Sequence, residues 1–238
     1  MHIELVVFDM AGTTVQDDDA VSRCLRDALQ EQGVIAEPSA VDAVMGWAKP
    51  DAIRALLQRM RADASAHAVE LVHERFHARM LDHYARSADV REVTGTTDAF
   101  RALFEAGVHV ALDTGFDREI ADVVLDRMGW LDAGLVQAVV TSDQVARGRP
   151  FPDMIREAMR RCGVRGSWAV AKVGDTPSDL QEGMAAGCSL IIGVTEGTHT
   201  AAQLRAHPHT HLLASVAEVP AVLAQLEGNS RGAHRVSA

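Results

Sequence analysis

Positive charge is scarce in this chain, and so are long apolar runs. The 238 residues contain 23 lysines and arginines against 33 aspartates and glutamates, for a net charge of −10. Without a basic stripe to neutralise a phosphate backbone, DNA and RNA are not expected partners. No apolar run is long enough to cross a bilayer, and the amino terminus lacks the pattern of a signal peptide. We therefore expect no membrane partner and a cytoplasmic location.

Cysteine is also rare, with Cys24, Cys162 and Cys188 as its three occurrences. The number is odd and the spacing fits no metal site, so we expect reduced thiols, in keeping with a cytoplasmic protein. A second group with metal-binding side chains lies near the carboxyl terminus and comprises His199, His207, His209 and His211. Their stretch is polar, contains proline and has no carboxylates at a metal-ligand spacing, so we predict surface histidines.

Lysine is the scarcest basic residue, because Lys49 and Lys172 stand alone among arginines. A lysine kept in such a chain indicates a position that needs an amine able to lose its proton, which a guanidinium cannot do. Chance retention explains either lysine taken singly. Lys172 falls within a predicted strand, and we expect its amine to reach solvent or the rim of a site and assign it no chemistry.

The length and the apolar fraction of 47% predict one α/β core with a single small insertion. A short apolar run at residues 3–9 predicts a buried strand that ends in a carboxylate. Between about residues 18 and 91 the apolar spacing is helical, without a strand pattern. Beyond this stretch, strands are predicted at residues 108–113, 135–141, 169–174 and 189–194, and helices at residues 118–128, 152–162 and 180–186. Their alternation predicts a parallel sheet covered by helices on both faces.

Five polar side chains lie at or just beyond the ends of predicted strands, namely Asp9, Thr114, Arg149, Asp175 and Asp179. The carboxyl ends of parallel strands share one edge of a sheet, so the five side chains are expected to converge. A carboxylate nucleophile, groups that hold phosphoryl oxygens and carboxylates for a divalent cation are what phosphoryl transfer requires. Singly, the aspartates and the threonine could be caps and Arg149 a surface charge. That interpretation requires suitable polar residues to occur by chance at several strand ends, so we favour a phosphoryl-transfer site.

Four motifs follow one another along the chain: D-x-x-G-T-T at residues 9–14, T-G at residues 114–115, G-R-P-x-P at residues 148–152 and G-D-T-x-S-D at residues 174–179. Together they resemble the haloacid dehalogenase superfamily of hydrolases over almost the whole chain. The resemblance implies a Rossmann-like, doubly wound parallel sheet as the core, with a small inserted all-helical cap domain. It implies a core at residues 1–17 and 92–227 and a cap at residues 18–91, and the polar stretch at residues 228–238 predicts a flexible tail.

The same resemblance implies roles for individual residues. Asp9 becomes the nucleophile that takes a phosphoryl group, and Thr114 and Arg149 hold the phosphoryl oxygens. A Mg²⁺ site is implied at Asp9, the carbonyl of Ala11, Asp175 and Asp179. Substrate contacts are implied for Thr13, Met45, Gly115 and Phe116. The expected partner is a small organophosphorus substrate, and related enzymes pair through the cap, which implies a homodimer.

Ala11 stands where phosphatases of this superfamily usually carry an aspartate that protonates the leaving alkoxide. General acid assistance is typically worth about 10²–10⁴ in rate, so its absence favours another kind of leaving group. Lys49 ends the run M-G-W-A-K at residues 45–49, which resembles the cap segment of the phosphonatase branch. In that branch a cap lysine forms an imine with the substrate aldehyde, and the iminium takes the electrons when the P–C bond breaks.

The local sequence favours this role for Lys49. Pro50 suits the first turn of a helix, so Lys49 is expected at the amino end of that helix. The positive end of the helix dipole, together with burial under a closed cap, would lower the pKa of the amine. The alternative is an exposed lysine at a helix start.

Three positions depart from the phosphonatase branch: Asp19 replaces a cysteine, Ala52 a histidine and Phe116 a tyrosine. The exact substrate therefore stays open at this stage. We favour hydrolysis of the C–P bond of a small carbonyl phosphonate, such as phosphonoacetaldehyde, through a Schiff base at Lys49. The first alternative is a phosphatase for a small monoester of the phosphoglycolate kind, with Lys49 as a cationic contact. The second is a binding protein without catalysis, which the complete set of polar residues disfavours.

Overall fold

The computed structural model describes the backbone of residues 2–235 and the side chains of residues 2–228. Within this part of the chain, parallel strands alternate with helices. The strands are β1 (Leu5–Asp9), β2 (His109–Thr114), β3 (Ala138–Thr141), β4 (Val170–Gly174), β5 (Leu190–Val194) and β6 (His211–Leu213). The helices are α1 (Ala20–Glu31), α2 (Pro38–Asp42), α3 (Lys49–Arg59), α4 (Ala66–Arg86), α5 (Thr96–Glu105), α6 (Arg118–Met128), α7 (Asp153–Cys162), α8 (Pro177–Ala186), α9 (Ala201–Leu204) and α10 (Val219–Arg235).

The sheet has the strand order β3-β2-β1-β4-β5-β6, and its strand pairs are parallel. The chain builds outward from β1 in one direction and then returns to build outward from β4 in the other. Doubly wound sheets bind their ligands at this reversal, beyond the carboxyl ends of the strands. Asp9 ends β1 opposite Asp113 of β2, so both carboxylates stand at that place. The predicted fold class is confirmed.

The central strand β1 is apolar throughout because both of its faces are covered. Leu5 and Val7 pack into one cluster of buried side chains with residues of α7 and α8, whereas Val6 and Phe8 pack into the other with residues of α5 and α6. Alternate residues of a strand point to opposite faces of the sheet, which explains this division. The first strand is thereby held rigidly, and so is the carboxylate at its end.

Helices α1 to α4 form the insertion between β1 and α5. Their apolar faces supply Leu25, Ile53 and Phe76 to the same buried cluster that includes Phe116 of the core. The guanidinium of Arg127, on α6, donates hydrogen bonds to the carbonyls of Tyr84 at 2.9 Å, in the last turn of α4, and of Ser87 at 2.8 Å, just after it. The insertion therefore packs closely on the core.

The predicted strand at residues 135–141 was too long, because β3 begins only at Ala138. Residues 135–137 before it have no regular structure, and the side chain of Gln137 accepts a hydrogen bond from the backbone nitrogen of Val110 at 2.7 Å. Helix α8 begins at Pro177, earlier than predicted, because Thr176 and Asp179 form a reciprocal cap at its start.

The end of the described chain also differs from the prediction. Strand β6 was missed, since its three residues at the edge of the sheet are only half-buried and follow no alternating pattern. Residues 228–235 belong to α10, where a flexible tail was predicted; residues 236–238 of that tail lie outside the described residues. Among the helices of the described part, none combines the length and the apolar character needed to cross a membrane.

Candidate active site

A small cavity lies where the helical insertion meets the carboxyl ends of β1 and β2. Its volume of about 20 Å³ is enough for about one water molecule. Residues of the insertion and of the core share its wall, which consists of Asp9, Ala11, Val21, Met45, Gly46, Lys49, Thr114, Gly115, Phe116, Arg149, Thr176 and Thr198. The structure thus brings most of the predicted site residues to one small cavity. The remaining three, Thr13, Asp175 and Asp179, lie beside Asp9, as described below.

Asp9 and Arg149 form an ion pair on the floor of the cavity. The Nη1 of Arg149 donates to the Oδ1 of Asp9 at 2.5 Å, and both side chains are buried. Burial raises the pKa of Asp9 to about 7 against the opposing charge of Arg149, because a carboxylate loses its hydration in this place. A phosphoryl group between the two side chains would meet a nucleophile and a cation together.

The loop after β1 turns sharply around Asp9. The hydroxyl of Thr14 donates to the carbonyl of Asp9 at 2.9 Å, and the hydroxyl of Thr13 donates to Oδ1 of Asp175 at 3.0 Å. Gly12 has a φ of 88°, and a Cβ there would lie 2.4 Å from Oδ2 of Asp175. A glycine is therefore required at this position, and Thr13 acts on the site through Asp175 rather than from the cavity wall.

Asp9, Asp175 and Asp179 could hold a metal ion together. One carboxylate oxygen of each lies within 4.8 Å of the others, and all three residues are buried. Burial, with a contribution from the charge of Asp179, raises the pKa of Asp175 to about 6. Carboxylate oxygens are the ligands of divalent cations that prefer oxygen, so the donor set fits such an ion.

Thr114, Gly115 and Phe116 form the cavity wall on the side of β2. The hydroxyl oxygen of Thr114 accepts a hydrogen bond from the backbone nitrogen of Phe116 at 3.1 Å, which leaves the hydroxyl proton available to a ligand. The ring of Phe116 packs against Phe76 and Tyr84 of the insertion, with ring centroids 6.5 Å and 5.8 Å away. These aromatic contacts join the core to the insertion beside the cavity.

Lys49 begins α3, and its side chain points into the cavity although it is only 5% exposed. Its Nζ donates to the carbonyl of Trp47 at 3.4 Å and lies 5.2 Å and 5.9 Å from the ring centroids of Phe116 and Phe76. Burial lowers the pKa of this amine to about 8, while the charge of Asp9 raises it. The amine can therefore lose its proton near neutral pH.

Residues 45–49 of the insertion, here called the docking segment, rest directly on the core loops. The hydroxyl of Ser178 donates to the carbonyl of Met45 at 3.1 Å. A Cβ at Gly115 would lie 2.4 Å from the carbonyl oxygen of Trp47, and one at Gly46 would lie 2.4 Å from the hydroxyl of Ser178. Small residues at these positions permit the close approach that carries Met45 and Lys49 to Asp9.

A layer of buried charges, which was not predicted from the sequence, lies next to the cavity. Arg149 also pairs with Asp113, with Asp179 at 3.2 Å and with Glu182 at 3.0 Å. Burial and the charge of Asp113 raise the pKa of Glu182 well above its ordinary value. Two signals were present, because Asp113 directly precedes Thr114 and Glu182 lies three residues after Asp179 on α8.

Lys172 belongs to this layer, so the expectation that its amine reaches solvent or the rim of the site was wrong. The side chain is fully buried and its amine pairs with Asp113, with Asp179 at 3.1 Å and with Glu182 at 3.3 Å. Burial favours loss of its proton, but the three carboxylates prevail and raise the pKa of Lys172 above its ordinary value. Lys172 therefore keeps its positive charge and holds the carboxylates of this layer in place through ion pairs.

His199 was also misjudged as a surface residue. It is 5% exposed, and its Nδ1 has no hydrogen-bond partner among the described residues. His207, His209 and His211 are half-buried, and none of the four belongs to a group of potential metal ligands in the described part of the chain.

Comparison with known proteins supplies the family. The family model of haloacid dehalogenase-like hydrolases matches residues 6–192. The chain is 30% identical to the phosphonoacetaldehyde hydrolase of Bordetella avium, in an alignment that covers 99% of this chain and 95% of that protein. It is also 30% identical to a phosphonoacetaldehyde hydrolase of Bacillus cereus, with 82% of this chain and 78% of that protein covered.

Solved structures show the same fold. A phosphonoacetaldehyde hydrolase-like protein from Oleispira antarctica superimposes with a TM-score of 0.83 at 20% identity, covering 94% of this chain and 92% of that one. A protein described as a predicted phosphoglycolate phosphatase from Haemophilus somnus gives a TM-score of 0.75 at 16% identity, with 92% and 97% covered. With a family model that matches most of its length and relatives at 30% identity, the chain belongs to the haloacid dehalogenase-like hydrolases, a family of enzymes.

Proposed function

We propose that this enzyme hydrolyses the C–P bond of a small phosphonate that carries a carbonyl group, such as phosphonoacetaldehyde. The observation that carries the proposal is the single cavity shared by the Lys49 amine and the Asp9 carboxylate. An amine with a pKa of about 8 is partly unprotonated at neutral pH and can attack a carbonyl carbon. The relatives named phosphonoacetaldehyde hydrolase support the same activity.

Each side chain has one task in this proposal. Lys49 condenses with the carbonyl carbon, which releases water and leaves an iminium. An oxygen of Asp9 attacks phosphorus while the P–C bond breaks, and the bonding electrons pass into the iminium, which becomes an enamine. Arg149 and the hydroxyl of Thr114 hold the phosphoryl oxygens. Protonation of the enamine carbon and hydrolysis then free Lys49 and the aldehyde, and a second water removes the phosphoryl group from Asp9.

Ala11 fits this chemistry better than it fits ester hydrolysis. Ala11 lines the cavity beside Asp9, and its side chain cannot donate a proton to a leaving oxygen. A carbon that leaves as an enamine needs no such proton at the moment of cleavage, because the iminium has already taken the electrons. The phosphatase alternative would have to proceed without the general acid that typically contributes about 10²–10⁴ in rate.

We propose Mg²⁺ as the cation, held by Asp9, the carbonyl of Ala11, Asp175 and Asp179. Carboxylate and carbonyl oxygens are the ligands that this ion prefers, and the buried carboxylates described above lie close enough together. When bound, Mg²⁺ would neutralise negative charge on the nucleophile and on the phosphoryl group. Activity is expected to vanish with a chelator and to return when Mg²⁺ is added.

We further propose that residues 18–91 act as a cap that opens from the core at residues 1–17 and 92–227. A cavity of about 20 Å³ has no room for a phosphonate, so the substrate requires a more open form to enter. Closure would then carry Lys49 to the carbonyl and exclude water from the phosphoryl group.

Borohydride trapping tests the imine directly. Incubation with phosphonoacetaldehyde and borohydride is expected to leave a reduced adduct on Lys49, which peptide mass spectrometry locates. Lys49→Arg keeps the charge but cannot form an imine, so phosphate release from the phosphonate should fall more than about 10³-fold. The matched phosphate ester, glycolaldehyde phosphate, is measured beside it. Retention of most phosphonate activity by Lys49→Arg, or a wide preference of the unmodified enzyme for the ester, would replace the proposal with the phosphatase alternative.

A further inference from the structure

Imine formation moves protons as well as electrons, so the proposed function requires a second residue beside Lys49. The amine nitrogen loses protons while it bonds to carbon, and the carbonyl oxygen must gain two before it leaves as water. These transfers are fast only next to a group that both donates and accepts a proton. The need for that group rests on the proposed imine, and the group must lie near the amine.

Four titratable or charged groups interact with the Lys49 amine in the described part of the chain: Asp9, Arg149, Asp17 and His73. Asp9 is the nucleophile and its carboxylate is bonded to Arg149, whose guanidinium keeps its proton in proteins. Ala52, one turn after Lys49 on α3, is fully buried and has no proton to exchange. His73 lines neither the cavity of Lys49 nor the groove beside it, so Asp17 remains.

Asp17 stands just before α1, where the cavity of Lys49 adjoins a larger groove. Its Oδ1 accepts a hydrogen bond from the backbone nitrogen of Val21 at 3.1 Å, and Val21 lines the cavity. Its Oδ2 accepts no hydrogen bond from the residues whose side chains are described. Asp17 lines the groove, which has a volume of about 740 Å³, and Met45 lines both spaces. One oxygen is thus fixed by the helix start, and the other accepts no hydrogen bond at the groove that adjoins the cavity of Lys49.

We propose that Asp17 is the acid–base residue for formation and hydrolysis of the imine at Lys49. As nitrogen bonds to the carbonyl carbon, the carbonyl oxygen takes the proton of the Asp17 carboxyl, and the resulting carboxylate takes a proton from nitrogen. Asp17 then gives that proton to the carbinol oxygen, the C–O bond breaks, water leaves and the nitrogen lone pair closes the iminium. The groove offers the path for this water. The reverse steps release the aldehyde product.

The surroundings of Asp17 favour both the loss and the gain of a proton by its carboxyl group. Burial raises the pKa of Asp17 to about 6, near enough to neutral pH for both protonation states to be populated. Burial likewise raises the pKa of Tyr84 well above its ordinary value, so its hydroxyl keeps its proton. The titratable and charged groups that act on Asp17 are Lys49 from α3, Tyr84 from α4, and Asp19, Arg23 and Cys24 at the start of α1.

The test measures the rate at which borohydride traps the Lys49 adduct with phosphonoacetaldehyde. Asp17→Asn keeps an oxygen to accept the hydrogen bond of Val21 but cannot serve as an acid, so trapping should slow by about 10²-fold or more. Asp18→Asn is the matched control, because it removes the same charge from the exposed neighbouring position and should leave the rate unchanged.

The pH profile separates catalysis from a structural effect. The reactive state has one proton shared between Asp17 and Lys49, so trapping should be fastest between the pKa of about 6 and the pKa of about 8. Below that window both groups are protonated and the amine cannot attack. Above it both are deprotonated and no acid remains. In Asp17→Asn the bell should become a single rise that follows Lys49, whereas mere structural damage would lower the curve without changing its shape.

Two outcomes overturn the role of Asp17 while leaving the imine intact: trapping at the unmodified rate in Asp17→Asn, or an unchanged bell-shaped profile. Absence of any adduct in the unmodified enzyme overturns the proposed function and this role together. If Asp17→Asn melts at a lower temperature, the equal-sized pair Asp17→Glu and Asp17→Gln decides. Faster trapping by the variant with the carboxyl supports the role, and equal rates contradict it.

Discussion

Ala11 is the residue at which the two candidate reactions make opposite demands. Ala11→Asp would add a carboxyl group beside Asp9, where burial raises carboxyl pKa values and keeps a proton available. Phosphate release from glycolaldehyde phosphate should therefore rise by about 10²-fold. Ala11→Asn is the control, since it has nearly the same size but no acidic proton. An equal rise with asparagine would show that shape rather than acid catalysis controls ester hydrolysis.

The stability of the fold depends on buried charges that do not contact the substrate, and Lys172 is one of them. Lys172→Met should lower the free energy of unfolding by about 3–5 kcal/mol, because it leaves buried carboxylates without their cation. Urea titration measures the loss. Adding Glu182→Gln to Lys172→Met removes one of the stranded charges and should recover part of the stability. A loss under about 1 kcal/mol in the single variant would mean that protonation of the carboxylates already compensates the layer.

Lys49 and Lys172 show why the place of one residue could be predicted from the sequence and that of another could not. Lys49 was found because its neighbours in sequence carry the signal: a proline after it and a recognisable segment before it. Lys172 was missed because its partners are distant in sequence. A Cβ added at Gly183 of α8 would lie 2.9 Å from the Cβ of Lys172, so that helix seals the lysine from solvent. Nothing in the sequence of β4 states which helix covers it.

At the scale of elements, the docking segment is the part of the helical insertion that brings side chains into the site. Gly115→Ala places a Cβ 2.4 Å from the carbonyl oxygen of Trp47 and 2.8 Å from that of Gly46, and both atoms belong to the backbone. The segment would have to move away, and a displacement near 1 Å can lower turnover about 10²-fold.

Steady-state kinetics and a thermal melt test Gly115→Ala together, with Gly228→Ala as the control because a Cβ there meets nothing within 4 Å. The melt should stay near that of the unmodified enzyme while turnover falls. Full activity of Gly115→Ala would show that the docking segment does not have to approach the core so closely.

Most elements of the core could be predicted because their signals are local. The continuous apolar run of β1 and the caps of α6, with Asp117 before it and Gly129 after it, are visible in the sequence. β6 could not be found this way, since its pairing with β5 depends on where the chain returns after α9 rather than on its own three residues. Its end lies away from the catalytic cavity, so the omission did not affect the predicted site.

For the whole molecule, the two connections between the core and the helical insertion favour a hinged cap. The backbone nitrogen of Gln16 donates to the carbonyl of Arg91 at 3.0 Å, and that of Val93 donates to the carbonyl of Thr14 at 2.9 Å. The two connections therefore lie side by side, and they can bend together when the cap moves. Asp18 and Asp19 follow with φ values of 44° and 62°, which non-glycine residues seldom adopt. A homodimer formed through the cap stays a prediction, which sedimentation at several concentrations would measure.

Trp47 makes closure of the cap observable, because it belongs to the docking segment. The chain has three tryptophans, and the other two report on the core: Trp130 is 1% exposed and Trp168 is 72% exposed. If the free enzyme opens, Mg²⁺ with orthovanadate, a phosphate mimic, should shift the emission to shorter wavelength as Trp47 loses contact with water, and scattering should show a smaller radius of gyration. Trp47→Phe should abolish the emission shift but keep the compaction. An emission shift that survives in Trp47→Phe would place the change in the core, and the absence of both signals at saturating ligand would mean that the cap does not open.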